Sequence, residues 1–181
     1  MKLPLCYLGN PILRKKCAQV LAIDDTIKQL VQDMEETVIA LRGLGLAAPQ
    51  IGKSIALFIL RIADDGHDDG DDTDHDTITT EVFINPKITS HSKETWMRGE
   101  ACLSIPKFYA EVERPTHITV EATDLEGNRF TKHYSMGKAR AVLHENDHLN
   151  GTLFIDRIRG KERQKLERSL KLIEKQYRLL N

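Results

Sequence analysis

The segment His144-Glu145-Asn146-Asp147-His148 constrains this chain more than any other. Two histidines four residues apart come to one side only on an α-helix, where 3.6 residues per turn stacks them a turn apart and lets both imidazoles reach one metal ion. Glu145 is then offset around the axis, beside the ion rather than on it, which suits a carboxylate that takes a proton from water. With seven His and thirteen Glu in the chain, a shuffled sequence would contain H-E-x-x-H about 0.02 times, so chance is a weak rival. The bland alternative is two surface or core histidines on an amphipathic helix. Val142, Leu143 and Leu149 around the motif argue for a buried helix, in which unpaired histidines would be costly.

A hydrolytic site of this kind needs a third protein ligand and one open position. Cys102, in Gly99-Glu100-Ala101-Cys102-Leu103-Ser104-Ile105-Pro106, is on offer. Taken alone, a Cys beside Leu and Ile reads more readily as a small buried hydrophobe than as a ligand. A second unusual segment is Gly43-Leu44-Gly45-Leu46-Ala47-Ala48-Pro49-Gln50-Ile51-Gly52. Its small residues would let a backbone approach a ligand closely, and Gln50 adds an amide with both donor and acceptor. An ordinary turn between helix and strand fits the same composition.

Around these segments the order of elements, a helix, then strands and hairpins, then helices, suggests α+β more than an alternating parallel α/β fold: antiparallel sheets and hairpins about a central metal-binding helix, with a C-terminal helix. Ile27, Leu30, Val31, Met34, Val38 and Leu41 trace an amphipathic helix capped by Asp24 to Thr26 and ending near Gly43. Ile55 to Leu60 reads as a buried strand, and Val82 to Ile84 as a second that Asn85-Pro86 stops. His117 to Glu121 and Arg129 to His133 flank a turn at Asp124 to Asn128. A helix from Lys138 to about Leu149 is halted by Asn150-Gly151. The last, roughly Lys161 to Leu179, aligns Leu166, Leu170, Ile173, Tyr177 and Leu180 and carries a basic outer face.

At 181 residues and 20.6 kDa, residues 1–181 are expected to form a single catalytic domain. Residues 64 to 76 hold eight acids and no Lys or Arg, and without them the remainder of the chain is at +7. So acidic and apolar-poor a run reads as a solvated loop insertion, with weak cation binding through His67 and His75 as the alternative. No stretch approaches the ~18 apolar residues of a transmembrane helix, and Met1 to Cys6 is too short an apolar run for a signal peptide. A cytoplasmic protein with reduced Cys6, Cys17 and Cys102 is expected.

Taken together, three segments resemble peptide deformylase. Gly43 to Gln50 is similar to that family's G-x-G-x-A-A-x-Q, Glu100 to Ser104 to its E-G-C-L-S, and His144 to Gly151 to its H-E-x-D-H-L-x-G. They stand in the family's order at similar separations, and the resemblance spans most of the chain. One departure is Ala101, where the family has Gly; if that backbone needs positive φ or touches substrate, the methyl group narrows the cleft.

The resemblance implies an enzyme of protein biosynthesis, a hydrolase that removes the N-formyl group from the initiator methionine of nascent polypeptides and releases formate. It implies Cys102, His144 and His148 as ligands of one divalent metal ion, ferrous iron in the native family with zinc, nickel or cobalt replacing it. It also implies Glu145 as proton shuttle, with the Gln50 amide and the Leu103 N–H as oxyanion donors. Gly43, Leu44 and Gly45 would pair with an extended peptide, and Ala141 would line the methionine pocket. Arg140 is expected at the pocket mouth or, equally, on the surface, and Glu100 with Arg114 as a bracing ion pair. The basic C-terminal helix points to the ribosome or, equally, is the solvated face of a packing helix; neither membrane nor specific DNA binding is expected. An H-E-x-x-H peptidase lacks as good a third ligand, and a non-enzymatic ribosome-bound module has no need of Gln50 and Glu145.

Overall fold

A computed structural model describes residues 1–63 and 78–180, apart from the side chains of Ala63 and Leu179. The acidic run at 64–76 lies outside the described residues. Helix α1 (Asp25–Ala40) starts where the Asp24 carboxylate accepts a hydrogen bond from Ile27 N at 3.0 Å. It ends three residues before Gly43. Arg42, with φ 53°, takes the left-handed position, while Gly43 N donates to Val38 O and Arg42 N to Ile39 O, closing a Schellman motif.

Among the described residues five strands form the main sheet: β1 (Gly45–Ala47), β2 (Leu57–Ala63), β3 (Ile78–His91), β6 (His117–Thr123) and β7 (Arg129–Ser135), antiparallel in that spatial order. The other two, β4 (Thr95–Cys102) and β5 (Ile105–Pro115), make a separate hairpin sheet. Helix α2 (Met136–Leu149) and helix α3 (Gly160–Tyr177) complete the α+β arrangement. Among the described residues no helix is long and apolar enough to cross a membrane.

The continuous apolar run of β2 has a direct cause. Leu57 and Ile59 pack with Val31, Met34 and Val38 of α1, whereas Phe58 and Leu60 pack with Ala139 and Val142 of α2. Alternate side chains thus enter cores on opposite faces, so the strand shows no polar alternation. Phe58 and Phe83 stack at 4.5 Å in the α2 core. The third core lies under the hairpin sheet, where Phe108, Ala110 and Val112 of β5 meet Phe154 and Leu170, with Leu166 and Ile173 packed alongside.

Asn85-Pro86 does not stop β3, which runs through it to His91. Pairing with β6 shifts between Ile84 and Lys87, a bulge that accommodates the proline. Asn85 adopts φ 53° there, and its amide clamps an incoming loop: Oδ1 accepts from Val20 N at 2.9 Å and Nδ2 donates to Val20 O at 2.8 Å. Asn85→Ala removes both bonds and places a side chain that tolerates positive φ poorly. We expect a loss of about 2 kcal/mol in denaturant unfolding, seen as a lower midpoint at unchanged m value.

Candidate active site

Two elements deliver three donor atoms to one place. Helix α2 presents His144 and His148 a turn apart, and β4 ends at Cys102, where a bulge moves the pairing from Ala101↔Tyr109 to Cys102↔Ile105. Cys102 Sγ lies 3.3 Å from His148 Nε2, and the ligand atoms of all three residues fall within 4.8 Å of one another. His144 Nδ1 is bound to Glu100 Oε2 at 2.8 Å, which fixes the ring and leaves Nε2 for the cluster. Burial lowers the His148 pKa well below its usual value, favouring the neutral ring that a metal takes. One thiolate and two imidazoles, one of them oriented by a carboxylate, fit a divalent transition metal.

Glu145 lies beside this cluster. Its carboxylate is buried and Oε2 has no hydrogen-bond partner; burial pushes the carboxyl up to about 7, partly offset by His144. Gly45 makes the room: a Cβ there would stand 2.6 Å from Glu145 Oε1 and from Leu60 Cδ2. Gln50 is buried with its orientation fixed, because Oε1 accepts from Ala47 N at 2.8 Å. Nε2 therefore points at Ser104 Oγ, 3.2 Å away, and Cys102 Sγ, 3.5 Å away.

A cavity of about 730 Å³ opens over the cluster. Gly43, Leu44, Gly45, Gln50, Cys102, Leu103, His144 and Glu145 all line it, while His148 is buried beneath. Strand β1 is the edge of its sheet. Leu44 O accepts from Arg61 N on the β2 side, and backbone polar groups alternate along a strand, so Gly45 turns its N–H and C=O to the open side. Ala101 has no positive φ; its methyl group adds to the cavity wall without backbone strain.

Glu100 and Arg114 do form a buried ion pair, with Nε to Oε1 at 2.7 Å and Nη2 to Oε2 at 2.8 Å. Their hydrogen bonds, with that of His144, outweigh the burial that would raise the Glu100 carboxyl and hold it well below its usual range. Of the two placements open to it, Arg140 takes the cavity and not the outer surface. It is buried against the cavity, with Nη1 on Glu100 Oε1 at 2.7 Å and Val112 O at 2.9 Å, and Nη2 on Trp96 O at 2.5 Å. Two participants were missed in the sequence. Asp147 accepts from Arg114 Nη1 and Arg157 Nε, each at 2.6 Å; its place inside the H-E-x-x-H motif was the available signal. Arg157 has no such signal, since it reaches the site only through the fold.

Comparison with known proteins agrees with this geometry. Residues 2–164 match the family described as polypeptide deformylase. A peptide deformylase of Rhizobium meliloti is 43% identical over 155 residues, 86% of this chain and 84% of that protein. One from Pseudothermotoga lettingae is 39% identical over 163 residues, 90% of this chain and 86% of the relative. The crystal structure of a plant peptide deformylase superposes with a TM-score of 0.86 at 34% identity, covering 97% of this chain and 90% of that one.

If Glu100 sets the His144 ring, Glu100→Gln should weaken metal binding by about 10- to 100-fold, because the amide is a poorer acceptor for Nδ1–H. Competition with a chromogenic chelator measures this directly.

Proposed function

Because the chain belongs to the polypeptide deformylase family, we propose that it hydrolyses the formyl amide at the N-terminus of nascent polypeptides, with Cys102, His144 and His148 as ligands of a divalent ion. The observation that carries this site assignment is the convergence of those three donors beside a buried carboxylate and a fixed amide. A bound divalent ion supplies Lewis acidity and makes water a competent nucleophile near neutrality. Soft thiolate with two imidazoles suits ferrous iron, the ion we assign, and equally admits zinc, nickel or cobalt.

The protein's own groups account for the remaining work. The peptide lies along the open edge of β1 and is held by the backbone of Gly43 to Gly45, as an added strand. Glu145, with an unengaged oxygen, takes the proton of the attacking water and returns it to the departing amine. The developing oxyanion is met by Gln50 Nε2, whose orientation the Ala47 bond fixes in advance, and by the Leu103 N–H. A buried site keeps those donors effective, since bulk water would compete for the same oxygen. Ala141, a lining residue one turn before His144, is assigned to the wall of the methionine pocket.

Residues 1–181 are taken as one catalytic unit located in the cytoplasm, where nascent chains are made. The outer face of α3 exposes Lys161, Lys165, Arg168, Lys171 and Lys175. Only part of that charge is paired along the helix, as in Lys165 with Glu162 at 2.6 Å, and we assign the face to ribosomal phosphate. Reversing Lys165, Arg168, Lys171 and Lys175 to Glu should weaken ribosome co-sedimentation at low salt, whereas reading α3 as a solvated packing helix predicts no loss.

The test is formate release from a formyl-Met peptide by protein purified anaerobically, with metal measured on the same sample. Glu145→Gln keeps the side chain's shape but cannot accept the proton. Turnover should drop by about two to four orders of magnitude with metal content preserved. Turnover near wild type in the metal-loaded variant would defeat this mechanism, and absence of formate release from loaded wild-type protein would defeat the function.

A further inference from the structure

Asn150-Gly151, which halts α2, is the one Asn-Gly pair in the chain, and it stands two residues beyond His148. Asparagine before glycine is open to a spontaneous reaction, because glycine has no side chain to shield its backbone nitrogen. That nitrogen gives up its proton and attacks Cγ of the asparagine. The new C–N bond closes a succinimide ring and the side-chain nitrogen leaves as ammonia. Water then opens the ring at either carbonyl, giving aspartate or, with the main chain rerouted through the former side chain, isoaspartate. Water is the only co-reactant. Asn10 and Asn85 are spared, since the proline after each has no N–H to give up.

Gly151 cannot be exchanged to remove the hazard. It has φ 69°, and a Cβ on it would stand 2.5 Å from Arg14 O and 2.7 Å from Arg14 C. Its place belongs to a Schellman motif that closes α2: Thr152 N donates to Asp147 O at 3.0 Å and Gly151 N to His148 O at 3.2 Å. The N-terminal segment clasps the same turn, with Cys17 N on Leu149 O at 2.8 Å and Lys16 bridged to Asn150. This motif also holds the reacting groups apart. With Asn150 at ψ 11°, the Gly151 nitrogen stands across the Cα–C bond from Cβ, out of reach of Cγ. Its proton is engaged by His148 O, and Asn150 Nδ2 is drawn back along the helix to Asn146 O at 2.9 Å. Asn150 is exposed, so opening of this one turn is all that the reaction requires.

We propose that Asn150 is a deamidation site held shut by the C-terminal turn of α2, and that its reaction makes loss of the His148 position irreversible. Isoaspartate inserts an extra methylene into the main chain between Leu149 and Gly151. Either product sets a negative charge at the C-terminal end of a helix, where the dipole disfavours it. The acceptors of the closing bonds, Asp147 O and His148 O, belong to the turn that carries the candidate ligand. One part of the proposal rests on the ligand assignment above: an ion held by His148 favours the closed turn and so slows the reaction.

The experiment incubates the folded protein, metal-loaded and metal-stripped, beside a synthetic peptide of residues 146–154, all anaerobically with reductant. Asn150 is followed by peptide mapping with mass spectrometry and isoaspartate detection. It should react at least about tenfold more slowly in the loaded protein than in the peptide, as expected of a site reached only through local opening, with the stripped protein between the two. Asn150→Gln, whose longer side chain closes such a ring far less readily, should keep its metal-binding capacity in chelator competition over the period in which stripped wild-type protein loses it. Reaction in the folded protein at the peptide's rate would overturn the gating. Equal loss of capacity in wild type and Asn150→Gln would overturn the consequence for His148. Equal rates in loaded and stripped protein, both far below the peptide's, would overturn the coupling to the ion and support the gated site. None of these readouts uses formate release, so this proposal and the catalytic reading fail separately.

Discussion

Glu100 is asked to satisfy four donors at once. Its two oxygens take Arg114 Nε and Nη2, Arg140 Nη1 and His144 Nδ1, all between 2.7 and 2.8 Å. A carboxylate removed from water is tolerable only when its charge and lone pairs are met in this way. Arg114 in turn reaches Asp147, which Arg157 also engages. Because β4 and β5 form a sheet of their own, this network is what ties the strand bearing Cys102 to the helix bearing His144 and His148. Loss of Arg114 would take two of the four donors from Glu100 and one of the two arginines from Asp147, and breaking a buried ion pair typically costs about 3–5 kcal/mol. The candidate metal ligands therefore depend on ion pairs one layer behind them.

The front of the site follows from small residues. Gly45 leaves the space that the Glu145 carboxylate occupies and, as a β1 residue, also offers its backbone at the sheet edge. A single residue without a side chain thereby lets the buried Glu145 carboxylate lie against an open sheet edge. Gln50 shows the same economy of position, since the bond that orients its amide comes from Ala47 only three residues away. Such local fixing of donors is what lets a site stabilise charge without reorganising during reaction.

Much of this was legible in the chain itself. The period of α1, the motif helix α2 and the β6–β7 hairpin followed from apolar spacing and turn chemistry, and Glu100 with Arg114 from resemblance. Other features were hidden for physical reasons. The β4–β5 hairpin was not anticipated, although Phe108, Ala110, Val112 and Arg114 alternate inward along β5, because an inward arginine breaks the apolar pattern. Asn85-Pro86 carries the sequence marks of a strand end, yet a bulge absorbs it. The sequence left Arg140 equally at the pocket mouth or on the surface because two of its partners, Trp96 O and Val112 O, are backbone atoms of distant strands. Tyr177 read as part of a packing stripe, and only the return of α3 to the N-terminal segment places it at the cavity.

The central claim is that Cys102, His144 and His148 bind one ion together, and cobalt substitution tests it most directly. Loading with Co(II) under anaerobic conditions should give stoichiometric binding with a near-ultraviolet thiolate-to-metal charge-transfer band, and Cys102→Ser should abolish that band. A charge-transfer band of undiminished intensity in Cys102→Ser, arising from Cys6 or Cys17, would contradict the account.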